Sequence, residues 1–183
     1  MASLAKRYAD LVARLRVPSG FLIVVAFAWF SHPTARSLAM GLPVSLLGLG
    51  LRAWAAGCLA KDQRLASGGP YAYTRNPLYL GTLVVAAGFV IAARNAGLGV
   101  LFAAIFLLIY VPVIQLEQQH LRKLFRDYGA YAAQVPALWP RLTPLESRDR
   151  HAFQWARYAR NREYQAGAGF ACWVVFLTWK ALG

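Results

Sequence analysis

Two stretches of the chain concentrate the side chains able to do chemistry. The first runs Gly68-Gly69-Pro70-Tyr71-Ala72-Tyr73-Thr74-Arg75-Asn76-Pro77-Leu78-Tyr79-Leu80-Gly81. Its glycines and prolines rule out one continuous helix. Pro77 suits the first turn of a helix, where its missing N–H costs nothing. Asn76 before it is biased toward an extended backbone and is a good N-cap. A helix starting here offers free N–H groups and a positive dipole end at residues 77–80, a ready seat for a carboxylate or phosphate. Gly81 lets a neighbour approach that first turn closely. The plainer alternative is a loop whose Tyr71, Tyr73 and Tyr79 sit at headgroup level as an aromatic belt.

The second stretch runs from Gln115 to Tyr131. Glu117 closes an apolar run, and the helix is expected to continue past it. Leu121, Leu124, Phe125 and Tyr128 recur at helical spacing and mark a buried face. Glu117 and His120 are expected on that face, with Arg122, Arg126 and Asp127 on the other side. A carboxylate aimed at protein near a membrane boundary is costly without a partner. It either pairs with Arg52 or Arg75, or clamps a cationic group of a ligand. Arg52 stands inside an apolar segment and could instead snorkel to the headgroups.

The elements that must position these stretches are apolar. Five segments stand out, at roughly 18–31, 38–59, 78–93, 97–116 and 166–182. A membrane-spanning helix needs about 20 apolar residues. The second and fourth fit well; the others need their flanks. The link Arg94-Asn95-Ala96-Gly97 is only a tight turn, so the third and fourth form an antiparallel hairpin. Hydrophobic residues make up 58% of the 183 and charged residues 15%, too few charges for a water-facing surface. The net charge of +13 fits nucleic acid or anionic membrane, and the apolar content decides for membrane. With the N-terminus inside, 16 of the 20 Lys and Arg and all seven acidic residues fall on the inner segments 1–17, 60–77 and 117–165, as the positive-inside rule requires. Leu4, Tyr8, Leu11 and Leu15, with Lys6, Arg7, Arg14 and Arg16, describe an interfacial helix over 1–17 rather than a cleaved signal. Cys58 and Cys172 are expected as packed thiols. His32, His120 and His151 lack metal-ligand spacing. The expected fold is all-α, a polytopic membrane helical bundle of about five transmembrane helices plus cytoplasmic interfacial helices. It is a single domain, with 1–17 interfacial, 18–140 the core, and 141–183 an interfacial helix and the last span.

The two chemical stretches together resemble the isoprenylcysteine carboxyl methyltransferase family and its relatives, the phospholipid N-methyltransferases. The family pattern is Gly-Pro-Tyr, a spacer, Arg-His-Pro-x-Tyr-x-Gly, then one hairpin later Glu-Glu, Leu, Phe-Gly, Tyr-x-x-Tyr and Val-Pro. The chain has Gly69-Pro70-Tyr71 and Arg75-Asn76-Pro77-Leu78-Tyr79-Leu80-Gly81, then Glu117-Gln118, Leu121, Phe125, Tyr128, Tyr131 and Val135-Pro136. Order and spacing match over residues 48 to 140. Asn76 stands for the usual His, as in phospholipid methyltransferases, and Gln118 stands for the second Glu.

The resemblance implies S-adenosylmethionine as methyl donor, leaving S-adenosylhomocysteine. It makes Arg75 and Glu117 the expected catalytic residues. Tyr73, Asn76, Pro77, Leu78, Tyr79, Leu80, Gly81, Glu117, Gln118, His120, Tyr128 and Tyr131 are the expected cofactor-binding set, and no metal is expected. Glu117 suits the donor's ammonium and sulfonium; Arg75, Asn76 and the 77–80 turn suit its carboxylate. No glycine-rich dinucleotide fingerprint occurs. The acceptor must be lipophilic to reach a site at the bilayer boundary. An anionic acceptor needs only positioning and desolvation; an amine needs a base such as Glu117 or His120. Residues 141–183, with Arg148, Arg150, Arg157, Arg160, Arg162 and several aromatics, suit contact with anionic membrane lipid. Around Asn161-Arg162-Glu163-Tyr164 they resemble an extension of bacterial members; a bacterial inner membrane is expected, with the N-terminus cytoplasmic as the charge distribution requires. No nucleic-acid partner is expected. Two alternatives stay open: a nicotinamide-dependent reductase of the sterol-reductase type, and a non-catalytic protein on the same scaffold.

Overall fold

A computed structural model describes residues 2–146 and 152–183. The described residues form helices, turns and loops, with no strand. α1 (Ala2–Phe30) and α2 (Ala35–Cys58) precede a 3₁₀ turn (Gly69–Ala72) and α3 (Pro77–Ala93). α4 (Ala96–Ile105), a π turn (Phe106–Tyr110) and α5 (Val111–Leu124) follow as one rod. α6 (Tyr128–Gln134), α7 (Trp155–Arg160) and α8 (Tyr164–Leu182) complete the chain.

α2 and α3 are the centre of the bundle. They run antiparallel, and glycines seven residues apart on each helix make the contact. Gly41 faces Gly88 and Ala92, and Gly48 faces Gly81 and Val85. Nothing larger than hydrogen separates the backbones there. Ser45 Oγ donates to the Val85 carbonyl at 2.9 Å, and Ser37 Oγ to the Ala92 carbonyl at 2.9 Å. Ser37 also closes a capping box with Thr34 at the start of α2, satisfying two donors that a helix start otherwise leaves free.

The far end of the bundle is closed by polar side chains on orphan carbonyls. Lys180 Nζ donates to Ala28 and Trp29 at 2.8 and 3.1 Å, and Asn95 Nδ2 to Phe30 at 2.9 Å. These are the last carbonyls of α1, which the helix itself cannot pair. Arg94 turns the chain in the left-handed conformation (φ 53°), and Asn95 caps α4 by accepting from the Gly97 N–H at 2.9 Å. α8 seals the outer side, with Leu177 buried against Leu38 and Ala92.

Several expectations change. The interfacial helix and first span are one helix, α1, with Pro18 inside it. The side chains of Leu4, Lys6, Arg7, Tyr8 and Arg16 lie outside the described ones, while Leu11 and Leu15 are exposed. Of the five expected spans, two among the described residues are helices long and apolar enough to cross a membrane, Ala35–Cys58 and Ala96–Leu124. Pro77–Ala93 is apolar but has 17 residues, about 25 Å at 1.5 Å per residue against a hydrocarbon core of about 30 Å. Of the expected C-terminal interfacial helix, the described residues show the six of α7. Arg162, at φ 54°, breaks it from α8; Arg148 and Arg150 lie outside the described residues. Cys58 is buried as expected, but Cys172 is exposed.

The glycine contact carries the first prediction. A Cβ at Gly48 would lie 2.6 Å from both the Gly81 carbonyl oxygen and the Val85 nitrogen, whereas one at Gly50 meets nothing within 4 Å. Gly48→Ala is expected to cost about 1–3 kcal/mol as an overpacking change. Gly50→Ala, which gains helix propensity, should hold or raise the thermal midpoint in detergent. Equal midpoints for the two variants would contradict the close contact.

Candidate functional site

The two chemical stretches meet through the strap that follows α6. Arg75 N–H donates to the Pro136 carbonyl at 2.9 Å, Arg141 N–H to Tyr73 at 2.9 Å, and Leu145 N–H to Ala72 at 3.0 Å. Buried Thr74 donates its hydroxyl toward Ala137 and Leu138 at 3.2 and 3.1 Å. Tyr131 Oη donates to the Tyr71 carbonyl at 2.8 Å. These bonds satisfy a loop that has no helix or strand of its own to pair with.

Asn76 occupies the N-cap position of α3, but its side chain makes no cap bond. Its Nδ2 donates instead to the Ala137 carbonyl at 2.7 Å. The side-chain cap expected of Asn76 is absent, and its amide instead tethers α3 to the strap.

Glu117 is joined to the first turn of α3 through the Tyr79 side chain. Tyr79 Oη donates to Glu117 Oε1 at 3.0 Å. Tyr110, at the end of the π turn, stands edge-on to Tyr79 at 6.3 Å and stacks on Phe106 at 5.9 Å. The π turn has a local cause. Pro112 has no N–H for the carbonyl one turn back and crowds it, and the wider turn bonds Val111 N–H to Phe106. Such turns commonly mark functional positions in helices.

The expected buried face of α5 is only partly realised. Leu121, Phe125 and Tyr128 pack with Tyr131 and Val135, but Leu124, Glu117 and His120 are exposed. The buried side of the end of α5 is the one that packs on α6 and on Leu65 and Leu145. His120 faces Asp62 at 3.8 Å.

Arg52 neither snorkels nor pairs with Glu117. Its Nε and Nη2 donate to the two oxygens of buried Glu163 at 2.7 and 3.0 Å. Its Nη1 donates to Thr82 Oγ1 at 2.6 Å and to the Leu78 carbonyl at 3.3 Å. This bidentate pair joins α2 and α3 to the head of α8. Asn161 adds two bonds from its Nδ2 to the Ala56 and Leu59 carbonyls, at 2.8 and 3.0 Å, at the end of α2.

Tyr71 sits among all these groups. Burial raises its phenol well above the usual range, and Tyr131, Cys58, Glu163 and Glu117 push in the same direction. The Tyr131 phenol is raised by burial and by Tyr128, with Arg75 opposing. Both stay neutral donors at any physiological pH. Arg75 Nε and Tyr128 Oη are buried without a hydrogen-bond partner.

The remaining expected residues divide by burial. Pro77 and Gly81 are buried; the space at Gly81 is taken by Arg52 and Gly48 of α2. Leu78 packs on Ala55, Cys58 and Tyr71. Tyr73, Leu80 and Gln118 are half-buried. The larger cavity, about 560 Å³, lies beyond this cluster, and of the expected residues only Tyr131 lines it. Sequence reasoning missed Glu163, Asn161 and Thr74 as organising residues. The signal for Glu163 was Arg52 itself: a lone arginine inside an apolar helix demands a carboxylate, and Glu163 stands directly before the last apolar run.

Fold and site define a class, an all-helical protein with membrane-length apolar helices and a polar site at the head of α3. The chain belongs to the phospholipid methyltransferase family, whose profile matches residues 37–128. It is 34% identical over 117 residues to the cobalt-zinc-cadmium resistance protein CzcN of Cupriavidus metallidurans, covering 63% of this chain and 53% of that protein. It is 30% identical over 135 residues to the nickel-cobalt-cadmium resistance protein NccN of Alcaligenes xylosoxydans xylosoxydans, covering 73% of this chain and 62% of that protein. The chain thus spans little more than half the length of these curated relatives. No solved structure matches it.

The Arg52–Glu163 pair generates a prediction. Arg52→Gln or Glu163→Gln leaves a buried charge unpaired and should cost about 3–5 kcal/mol, whereas replacing both with Leu should recover much of it. Thermal midpoints in detergent test this; additive losses in the double variant would show that the two residues are not coupled.

Proposed function

We propose that this chain is an integral membrane methyltransferase, carrying a methyl group from S-adenosylmethionine to a lipophilic acceptor at the cytoplasmic membrane face. The observation that carries this is Glu117 bonded to Tyr79, a residue of the first turn of α3, inside the segment that matches the family. An exposed carboxylate tethered to a helix's first turn complements a ligand with both an ammonium and a carboxylate. The unpaired Nε of Arg75 is a further donor in want of an acceptor. Five crossings with the N-terminus inside is the arrangement that the Lys and Arg distribution favours.

When bound, S-adenosylmethionine supplies an electrophilic methyl group on a sulfonium. Glu117 would hold its ammonium, and Arg75 with the α3 N-terminus its carboxylate. Tyr79 orients Glu117, and Tyr110 buttresses Tyr79. Leu80 and the tyrosines exclude water, which favours transfer from a cation to an anion. Titrating S-adenosylhomocysteine into detergent-purified protein tests the assignment. Micromolar binding is expected, lost in Glu117→Ala and in Arg75→Ala. Absence of binding in stable, lipid-supplemented protein would overturn it; protection from heat by a nicotinamide cofactor instead would favour the reductase.

The names of the two relatives favour a second reading at the level of the cell, a part in resistance to metal ions. The two are compatible, because altering membrane lipids alters what a membrane admits. In a sensitive host, wild-type chain is expected to raise tolerance to cadmium ions and Glu117→Ala is not. Equal tolerance from both would separate resistance from the site.

A further inference from the structure

A second group of cations stands apart from Glu117 and from the Arg52–Glu163 pair. Arg64, from the loop after α2, and Arg157 and Arg160, from α7, line a cavity of about 340 Å³ with Gln63 and Gln154. That volume is near the lower end of the ~300–1,000 Å³ typical of small-ligand sites. No carboxylate lines the cavity. Among the described residues, none of the three guanidinium groups has an ion-pair partner. Among the described carboxylates, Asp62 faces His120 and Glu163 pairs with Arg52, while Asp127 and Glu146 line the other cavity, which Arg64 also borders. Arg157 Nη1 is buried with no acceptor, a costly state unless an anion arrives.

The cations are held in place. Gln154 N–H donates to the Gly57 carbonyl at 3.0 Å, and Asn161 ties the other end of α7 to α2. Like charges fixed around one cavity repel one another, and an oxyanion relieves that repulsion. Three arginines with two amides present the planar, multidentate donors that match phosphoryl oxygens.

We propose that this cavity binds a phosphoryl group, as a lipid headgroup phosphate or a soluble phosphoester. Exposed Trp155, packed against Phe153 at 4.8 Å and Tyr158 at 5.7 Å, gives the lipid source a place to sit at the interface. The site is independent of methyl transfer, since Glu117, Arg75 and Arg52 do not line it.

The experiment uses the full chain in zwitterionic nanodiscs, titrated with inorganic phosphate and with dihexanoyl phosphatidate. Saturable binding is expected, weakened about tenfold in Arg157→Gln and in Arg160→Gln and less than about twofold in Arg122→Gln, an exposed arginine outside the cavity. Arg160 is exposed, so its variant carries the test if Arg157→Gln fails to fold. Tighter binding of phosphatidate identifies a lipid headgroup; equal affinities identify a soluble phosphoester. No saturable binding of either probe, or an equal loss in Arg122→Gln, overturns the proposal. S-adenosylhomocysteine affinity should be unchanged in Arg160→Gln, which separates this outcome from any failure of the methyltransferase assignment.

Discussion

The close approach of α2 and α3 is the constraint on which the rest of the structure depends. Glycines at 41, 48, 81 and 88 let two backbones touch, which brings Arg52 against the first turns of α3. Without that contact Arg52 could not reach Thr82 and the Leu78 carbonyl, and α3 would lose the neighbour that fixes its N-terminus. In an apolar environment such packing replaces the hydrophobic drive that is absent between lipid-like surfaces. The same small residues leave no room to adjust, so the position of the α3 head is sharply defined.

From that head the polar interactions spread outward in two directions. Toward the C-terminus, Arg52 holds Glu163 and thereby the start of α8. Toward the strap, Thr74, Arg75 and Asn76 hold residues 136–138. Tyr71 sits between the two, buried and neutral. The π turn before Pro112 adds the last element by setting Tyr110 against Tyr79. A loop-built site is held here by backbone carbonyls with single named donors rather than by secondary structure.

Much of this was legible in the residues, though unevenly. The helix start at Pro77, the turn at 94–95 and the continuation of α5 past Glu117 follow from local rules about proline, asparagine and apolar period. The partners were harder. Arg52 was a visible anomaly, but its carboxylate lies 111 residues away, and Glu117 and Arg75 offered nearer answers. Asn76 looked like a cap because only the strap's arrival reveals a better acceptor. The exposure of Leu124 depends on which faces of α5 meet a neighbour, which periodicity does not report.

The sequence by itself determined the class of the protein. Its apolar segments, its basic loops and two motifs in order carried the family, because composition and local spacing are properties of the chain alone. The glycines at heptad spacing were equally present in it, but their meaning needed a facing helix. Only the tertiary structure decided which charges pair, which tyrosines are buried and where three arginines converge. Those outcomes rest on contacts between residues far apart in the chain. Burial and pairing energies belong to such contacts, and no local pattern records them.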